Sequence, residues 1–280
     1  MSLLFSLKEV GKNVHVATLA SGSSGNAILV GHEKRNFLVD CGVSLKSILR
    51  NLEILNIPSE EIEGIFITHE HNDHIRGIGP VARKLKIPIY ATAKIWEVIS
   101  NRIGKLDDSQ RIIIQDSFTC AGLKVNVFPT SHDSQESYGV RVEMPEGSSF
   151  SKSIGIATDT GMITEEMHQA LQGCDALVVE ANHDEEMLWQ GSYPWYLKKR
   201  ISSNYGHLEN KQLAEGLLQW IQGNTQRIVL AHLSEENNSP ERALSTIMRI
   251  LKDSPIAKEN PELRIRVAPR HTPHELIVLE

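Results

Sequence analysis

Cysteine is scarce: Cys41, Cys120 and Cys174 lie far apart and form no CxxC pair. That excludes a disulfide framework and a structural zinc knuckle, and it fits a reducing, cytoplasmic compartment. Long apolar runs are missing too, since no stretch approaches the ~18 residues of a membrane helix. The opening segment, MSLLFSLKEVGK, has only a very short apolar run with no cleavage pattern behind it, so no secretory signal is expected. There is no excess of positive charge. With a formal net charge of −6, no global field draws in nucleic acid or an anionic membrane, and a polyanion must be held by a local patch or by metal ions. No low-complexity tract, heptad repeat or Pro-rich linker divides the chain. Its 280 residues, 40% hydrophobic and 23% charged, read as one globular domain over 1–280.

Two kinds of segment alternate. Short β-branched runs predict strands at 14–19, 27–30, 36–39, 64–68, 124–129, 138–143, 153–158, 176–180, 227–231 and 264–268. Leu and Ile at helical spacing predict helices over 44–55, 74–85, 94–103 and 210–221. Another opens at Ser239 with Pro240 in its first turn. The strand-rich first half and the returning pattern predict an α/β (α+β) fold: two packed sheets with helices outside, a four-layer αββα sandwich. A faint internal echo links 64–69 (GIFITH) with 227–232 (RIVLAH), each a strand that delivers a histidine.

The chemistry is concentrated in Thr68-His69-Glu70-His71-Asn72-Asp73-His74, directly after an apolar strand. Histidine and carboxylate suit Zn²⁺, Mn²⁺ or Fe²⁺. Alternation puts His69 and His71 on one side, while the turn into a helix swings Asp73 and His74 toward a second point, so one strand end can feed two neighbouring metals. His132, Asp159 and His232 each follow a further strand. Singly they are ordinary surface or capping residues; in this order, each at a strand end, they are a ligand set.

The pattern resembles the metallo-β-lactamase superfamily along nearly the whole chain. The resemblance implies that His69, His71 and His132 hold one divalent ion. Asp73, His74 and His232 hold a second, and Asp159 bridges them. A hydroxide between ions ~3.5–4 Å apart would then be the nucleophile of a hydrolase. Asp40, in FLVDCG, matches the early buried aspartate that supports the ligand loop. Lactamases of this fold are usually secreted and place a cysteine at the second metal, and no cysteine lies near Asp159.

Residues 192–208, SYPWYLKKRISSNYGHL, interleave aromatics with Lys198, Lys199 and Arg200. Cations suit phosphates and exposed rings suit bases; the plainer reading is a helix with core-facing aromatics and solvated cations. With LASGSSGN at 19–26 and VEANHD at 179–184, this stretch is similar to the WalJ/YycJ group of bacterial metallohydrolases. That group implies a metal-dependent 5′-to-3′ exonuclease on duplex DNA, with DNA preferred to RNA and a role in mismatch repair. It implies catalytic roles for Asp73 and for His207, the latter as general acid. Substrate contacts are expected at Ser21, Ser23, Asn26, Asn182, His183, Lys198, Lys199 and Arg200. Only 72 residues lie between Asp159 and His232, which leaves no room for the inserted domain of the β-CASP nucleases. One departure is Glu209, where the group usually has serine; a carboxylate there threatens to raise the pKa of His207 or repel a phosphate. The competing readings are a cyclic phosphodiesterase, a glyoxalase II-like thioesterase, and a metal-containing DNA-binding or regulatory protein without turnover.

Overall fold

Buried β-branched runs form the ladders, and amphipathic runs cover them. The computed structural model describes residues 13–145, 147–148, 151–252 and 254–280; the opening segment considered as an export signal lies outside them. The strands are β1 (Val14–Ala20), β2 (Ala27–His32), β3 (Arg35–Val39), β4 (Ile62–Phe66), β5 (Ile89–Ala91), β6 (Arg111–Ile113) and β7 (Ser117–Cys120). They continue with β8 (Leu123–Pro129), β9 (Tyr138–Glu143), β10 (Ser153–Ala157), β11 (Ala176–Glu180), β12 (Arg227–Ala231), β13 (Arg264–Val267) and β14 (Ile277–Leu279). The helices are α1 (Leu45–Ile54), α2 (Asn72–Ile75), α3 (Ile78–Leu85), α4 (Ala93–Ile99) and α5 (Glu165–Leu171). After them come α6 (Glu185–Gln190), α7 (Trp195–Ile201), α8 (Asn210–Trp220), α9 (Pro240–Lys252) and α10 (Ile256–Glu259).

One sheet runs in the order β14-β1-β2-β3-β4-β5-β6 and the other β13-β12-β11-β10-β9-β8-β7. In each, an antiparallel portion continues into a parallel one: β3 to β6 in the first sheet, β10 to β13 in the second. Parallel neighbours need crossovers, and helices supply them. Val16, Val30 and Phe66 of the first sheet meet Val125, Val140 and Val178 of the second in a core between the sheets. Ile48, Val81 and Trp96 form a second core outside the first sheet, and Leu177, Leu217 and Ile247 form a third outside the other. The result is the αββα sandwich that the patterning predicts.

The differences from expectation are local. The helix expected over 74–85 is broken because Gly77 donates its N–H to Cys41 O, 2.7 Å away, while Asp73 O accepts from Asn26 N–H at 2.8 Å. The bond that would have continued the helix is replaced by two tertiary ones. Strands β5, β6, β7 and β14 were not expected, being only three or four residues long and too short to show a period. Helices α5, α6, α7 and α10 are likewise short additions. Among the described residues no helix is long and apolar enough to cross a membrane.

Trp96 is 1% exposed in the first outer core. Replacing it with alanine should lower the unfolding free energy by about 3–5 kcal/mol, read from urea denaturation. Met248→Ala, at a half-exposed site on α9, should stay within about 0.5 kcal/mol of the parent.

Candidate metal centre

The carboxyl ends of the parallel strands open on one edge of the sandwich, where ligands collect in open α/β sheets. Asp40 follows β3, residues 68–74 follow β4, Asp159 follows β10 and His232 follows β12. His132 arrives from the end of the antiparallel β8. Three of these residues leave their strands in the left-handed region: Asp40 at φ 61°, Asp159 at 57° and His232 at 55°. For non-glycine residues that conformation costs of order 1–3 kcal/mol, so the surrounding contacts must hold it. Gly42 is needed where the Asp40 loop passes the ligand helix, since a Cβ there would lie 1.5 Å from Asp73 O.

Fixed acceptors orient the imidazoles. Asp40 Oδ2 accepts from His74 Nδ1 at 2.7 Å and from the Thr68 hydroxyl at 2.7 Å, and its Oδ1 accepts from Thr68 N–H at 2.9 Å. His69 Nδ1 lies 3.0 Å from Thr68 Oγ1. The Gly206 carbonyl accepts from His132 Nδ1 at 3.0 Å. That carbonyl is reached by a turn only glycine fits, because a Cβ at 206 would lie 2.2 Å from the carbonyl oxygens of Arg200 and Ile201. Glu180 Oε1 accepts from His232 Nδ1 at 2.6 Å and His207 Nδ1 at 2.8 Å. With Nδ1–H committed, His69, His74, His132 and His232 offer Nε2 to the cluster, the tautomer control seen around bound metals.

The donor set fits divalent cations. Ligand atoms of His69, His71 and His132 lie within 4.8 Å of one another, as do those of Asp73, His74 and His232, and those of His69, His74 and Asp159. His69 Nε2 and His232 Nε2 are buried without a hydrogen-bond partner. His71 Nδ1 and His132 Nε2 face each other at 3.2 Å. Charge points the same way. Burial opposes ionisation of Asp159, yet His232 and His74 hold its carboxyl well below the usual range. Burial likewise opposes protonation of His232, but Asp159, Asp73 and Glu180 push it up to about 10. In His69, burial and the neighbouring His74 keep the ring neutral. Carboxylates that attract protons onto imidazoles attract metal ions in their place.

The cavity above this cluster, of about 290 Å³, is lined by Ser23, Asp133, Asn182, Tyr193, Arg200 and His207 among others. Several residues expected to contact substrate have other partners. Ser21 Oγ accepts from His232 N–H at 2.7 Å. Asn26 accepts from Gly22 N–H, and its amide reaches His74 Nε2 at 3.0 Å, so it braces the ligands. Asn182 donates to His232 O at 3.0 Å. Lys198 is buried, its ammonium donating to Trp189 O at 2.8 Å and Gly191 O at 2.7 Å, because α7 packs that stem inward. Lys199 lies over the Trp189 and Trp195 rings. Of the three cations only Arg200, paired with Asp133, lines the cavity. His183 is buried, and burial pushes its pKa down to about 4. Glu209 caps α8 in a reciprocal bond with Gln212, so its carboxylate is taken up by backbone N–H, not by His207.

The residue that sequence reasoning missed is Glu180. It is fully buried, and beyond its two imidazoles it accepts from Thr160 N–H at 3.0 Å and Leu208 N–H at 3.1 Å. Burial opposes its charge, but His207 and His232 bring its carboxyl down to about 2. The one signal available was a carboxylate ending the otherwise apolar strand ALVVE.

A family model for the beta-lactamase superfamily domain matches residues 35–233. The chain is 36% identical over 245 residues to exodeoxyribonuclease YycJ of Bacillus anthracis, covering 86% of this chain and 90% of that protein. It is 38% identical over 249 residues to exodeoxyribonuclease WalJ of Streptococcus pneumoniae, covering 88% and 90%. The metallo-β-lactamase fold protein YhfI of Bacillus subtilis superposes with a TM-score of 0.70 at 16% identity, over 94% of this chain and 99% of that one. The last likeness is one of fold.

Removing the acceptor behind His74 and Thr68 with Asp40→Ala should weaken Zn²⁺ binding roughly 10- to 100-fold in a chelator competition. For His183, the folded pKa of about 4 lies below an unfolded value near ~6.5. Its contribution to stability is therefore complete above about pH 6.5, falls as pH drops through that value, and levels off below about 4. Between pH 7 and 5 the parent should lose about 2 kcal/mol more than His183→Gln, measured by urea unfolding at both pH values.

Proposed function

The chain belongs to the beta-lactamase superfamily, and from that premise we propose that it is a metal-dependent phosphodiesterase that degrades DNA as a 5′-to-3′ exonuclease. The observation that carries this reading is His207, an imidazole at the cavity mouth whose Nδ1 is fixed by the same carboxylate that fixes His232. The two exodeoxyribonucleases, alike over most of the chain, support DNA as substrate; a place in mismatch repair is part of the proposal.

In this reading His69, His71, His132, Asp73, His74, His232 and Asp159 would hold two divalent ions, Zn²⁺ or Mn²⁺ with Fe²⁺ as a further choice. Such ions supply Lewis acidity, stabilising charge on the phosphate and making water acidic enough to attack at neutral pH. The protein does the rest. Asp40, Thr68, Gly206 and Glu180 hold the ligand rings in place, so little reorganisation accompanies the reaction. Asp73 keeps its carboxylate beside His74 and His232. His207, with Nδ1–H donated to Glu180, has Nε2 free to hold the proton that the departing oxygen takes up. Glu180 balances the positive ring that carries it. Arg200 at the mouth binds an adjacent phosphate in place of Asp133. The three buried free cysteines support a cytoplasmic setting.

The parent with added Mn²⁺ or Zn²⁺ should shorten a labelled 5′-phosphorylated duplex from its 5′ end, and His71→Ala should not. His207→Ala should lose about 10²- to 10⁴-fold in rate while binding the same amount of metal. Faster degradation of RNA than of DNA would move the substrate assignment, and inertness of the metal-loaded parent toward both would end it.

A further inference from the structure

Tyr196 is the most exposed large hydrophobic side chain among the described residues, at 75%, followed by Trp195 and Tyr205 at 65% each. Three such rings in one short stretch are a concentration, unlike the single apolar groups scattered over any surface. Tyr196 lies beside the cavity's lining residues. Tyr193, Leu197 and Arg200 line it, and on α7 Tyr196 stands next to Leu197 in sequence and four residues before Arg200, so it adjoins Arg200 at the rim.

The neighbouring ring is differently placed. Trp195 shares the far stripe of α7 with Lys199 and is engaged, 5.2 Å from the Trp189 centroid with Lys199 Nζ 5.2 Å from its own. Tyr196 has no aromatic or cationic partner among the described residues. An open phenol face thus lies beside the mouth's arginine in a chain whose net charge is −6. A cation and a bare ring at the lip of a phosphodiesterase site match the two halves of a nucleotide.

We propose that Tyr196 is a stacking shelf for one nucleobase of the substrate strand and so determines which strand ends are accepted. The inference rests on the nuclease reading above. A phosphate at the metal cluster and the next one near Arg200 carry the strand across the rim where Tyr196 stands. Every base has a π-face, so stacking there is tolerant of sequence. A base reaches the ring only after leaving its own stack, so the shelf favours single-stranded or frayed ends over blunt, fully stacked ones.

The test uses the metal-loaded full-length chain and 5′-phosphorylated DNA of three kinds: blunt, with a single-stranded 5′ overhang, and with the same overhang carrying one abasic nucleotide stepped through the positions beside the cut. Base-on-ring stacking is worth about 1–3 kcal/mol, so Tyr196→Ala should lower kcat/KM on the intact overhang roughly 5- to 150-fold. Tyr196→Phe should recover most of that loss. On the substrate that is abasic at the stacked position the parent should fall to the variant's level, leaving no further effect of the substitution. The parent should also prefer the overhang to the blunt end. Equal kcat/KM for parent and Tyr196→Ala on the intact overhang, or the same loss on intact and abasic strands, overturns the shelf while leaving the nuclease reading intact. A parent that cleaves none of the three overturns both.

Discussion

Glu180 ends β11, an interior strand of the second parallel ladder, and its carboxylate is out of reach of water. An anion so placed is tolerable only if its lone pairs are met by donors of good geometry. Four meet it: the rings of His207 and His232 and the N–H groups of Thr160 and Leu208. Those donors come from the turn after β10, the turn before α8 and the end of β12. One buried charge therefore fixes three chain segments, and two of the four donors belong to side chains with chemistry to do. The candidate ligand His232 and the proposed general acid His207 share a common support, so neither can shift without disturbing the other.

Asp40 plays the corresponding part in the first sheet. It too follows a strand, is buried, and receives a histidine Nδ1, a hydroxyl and a backbone N–H. Each sheet thus contributes one carboxylate that orients imidazoles donated toward the seam. The echo between residues 64–69 and 227–232 has its physical counterpart here: β4 and β12 occupy parallel ladders of the two sheets and both end in a ligand. A centre assembled across the seam depends on the apolar core between the sheets, because sliding one sheet on the other would separate the triads. Two of the left-handed residues at strand ends, Asp40 and His232, take part in the bonds that orient the rings.

The aromatic and basic stretch over 192–208 separates into faces that composition cannot distinguish. Lys198 points into the protein, Lys199 packs on two indoles, Arg200 guards the mouth and Tyr196 projects beside it. Consecutive helical residues differ in direction by about 100°, given 3.6 residues per turn, so a run of like charges is dispersed around the axis. The expectation of three phosphate-binding cations narrows to one for that geometric reason. Glu209 changed meaning similarly. Beside His207 in sequence it looked like an electrostatic neighbour; at the first turn of α8 it is a cap whose carboxylate already has a donor.

The sequence by itself determined the layering and supplied the candidate ligands. Hydrophobic period is local, so β1, β9, β11 and β12 could be read within a residue or so, and a strand that ends in His-x-His-x-Asp-His points to metal chemistry in six letters. Asn26 and Ser21 were noticed for their small size and polarity, which marks a tight turn without saying what the turn touches. Tertiary structure decided the rest. It made Asn26 and Ser21 braces of the ligands, broke the helix at Gly77 by redirecting two backbone bonds, and brought Glu180 under two histidines that lie 27 and 52 residues further along. A buried carboxylate takes its role from the donors that surround it. Those donors are gathered by packing over long stretches of chain, and no local pattern encodes them.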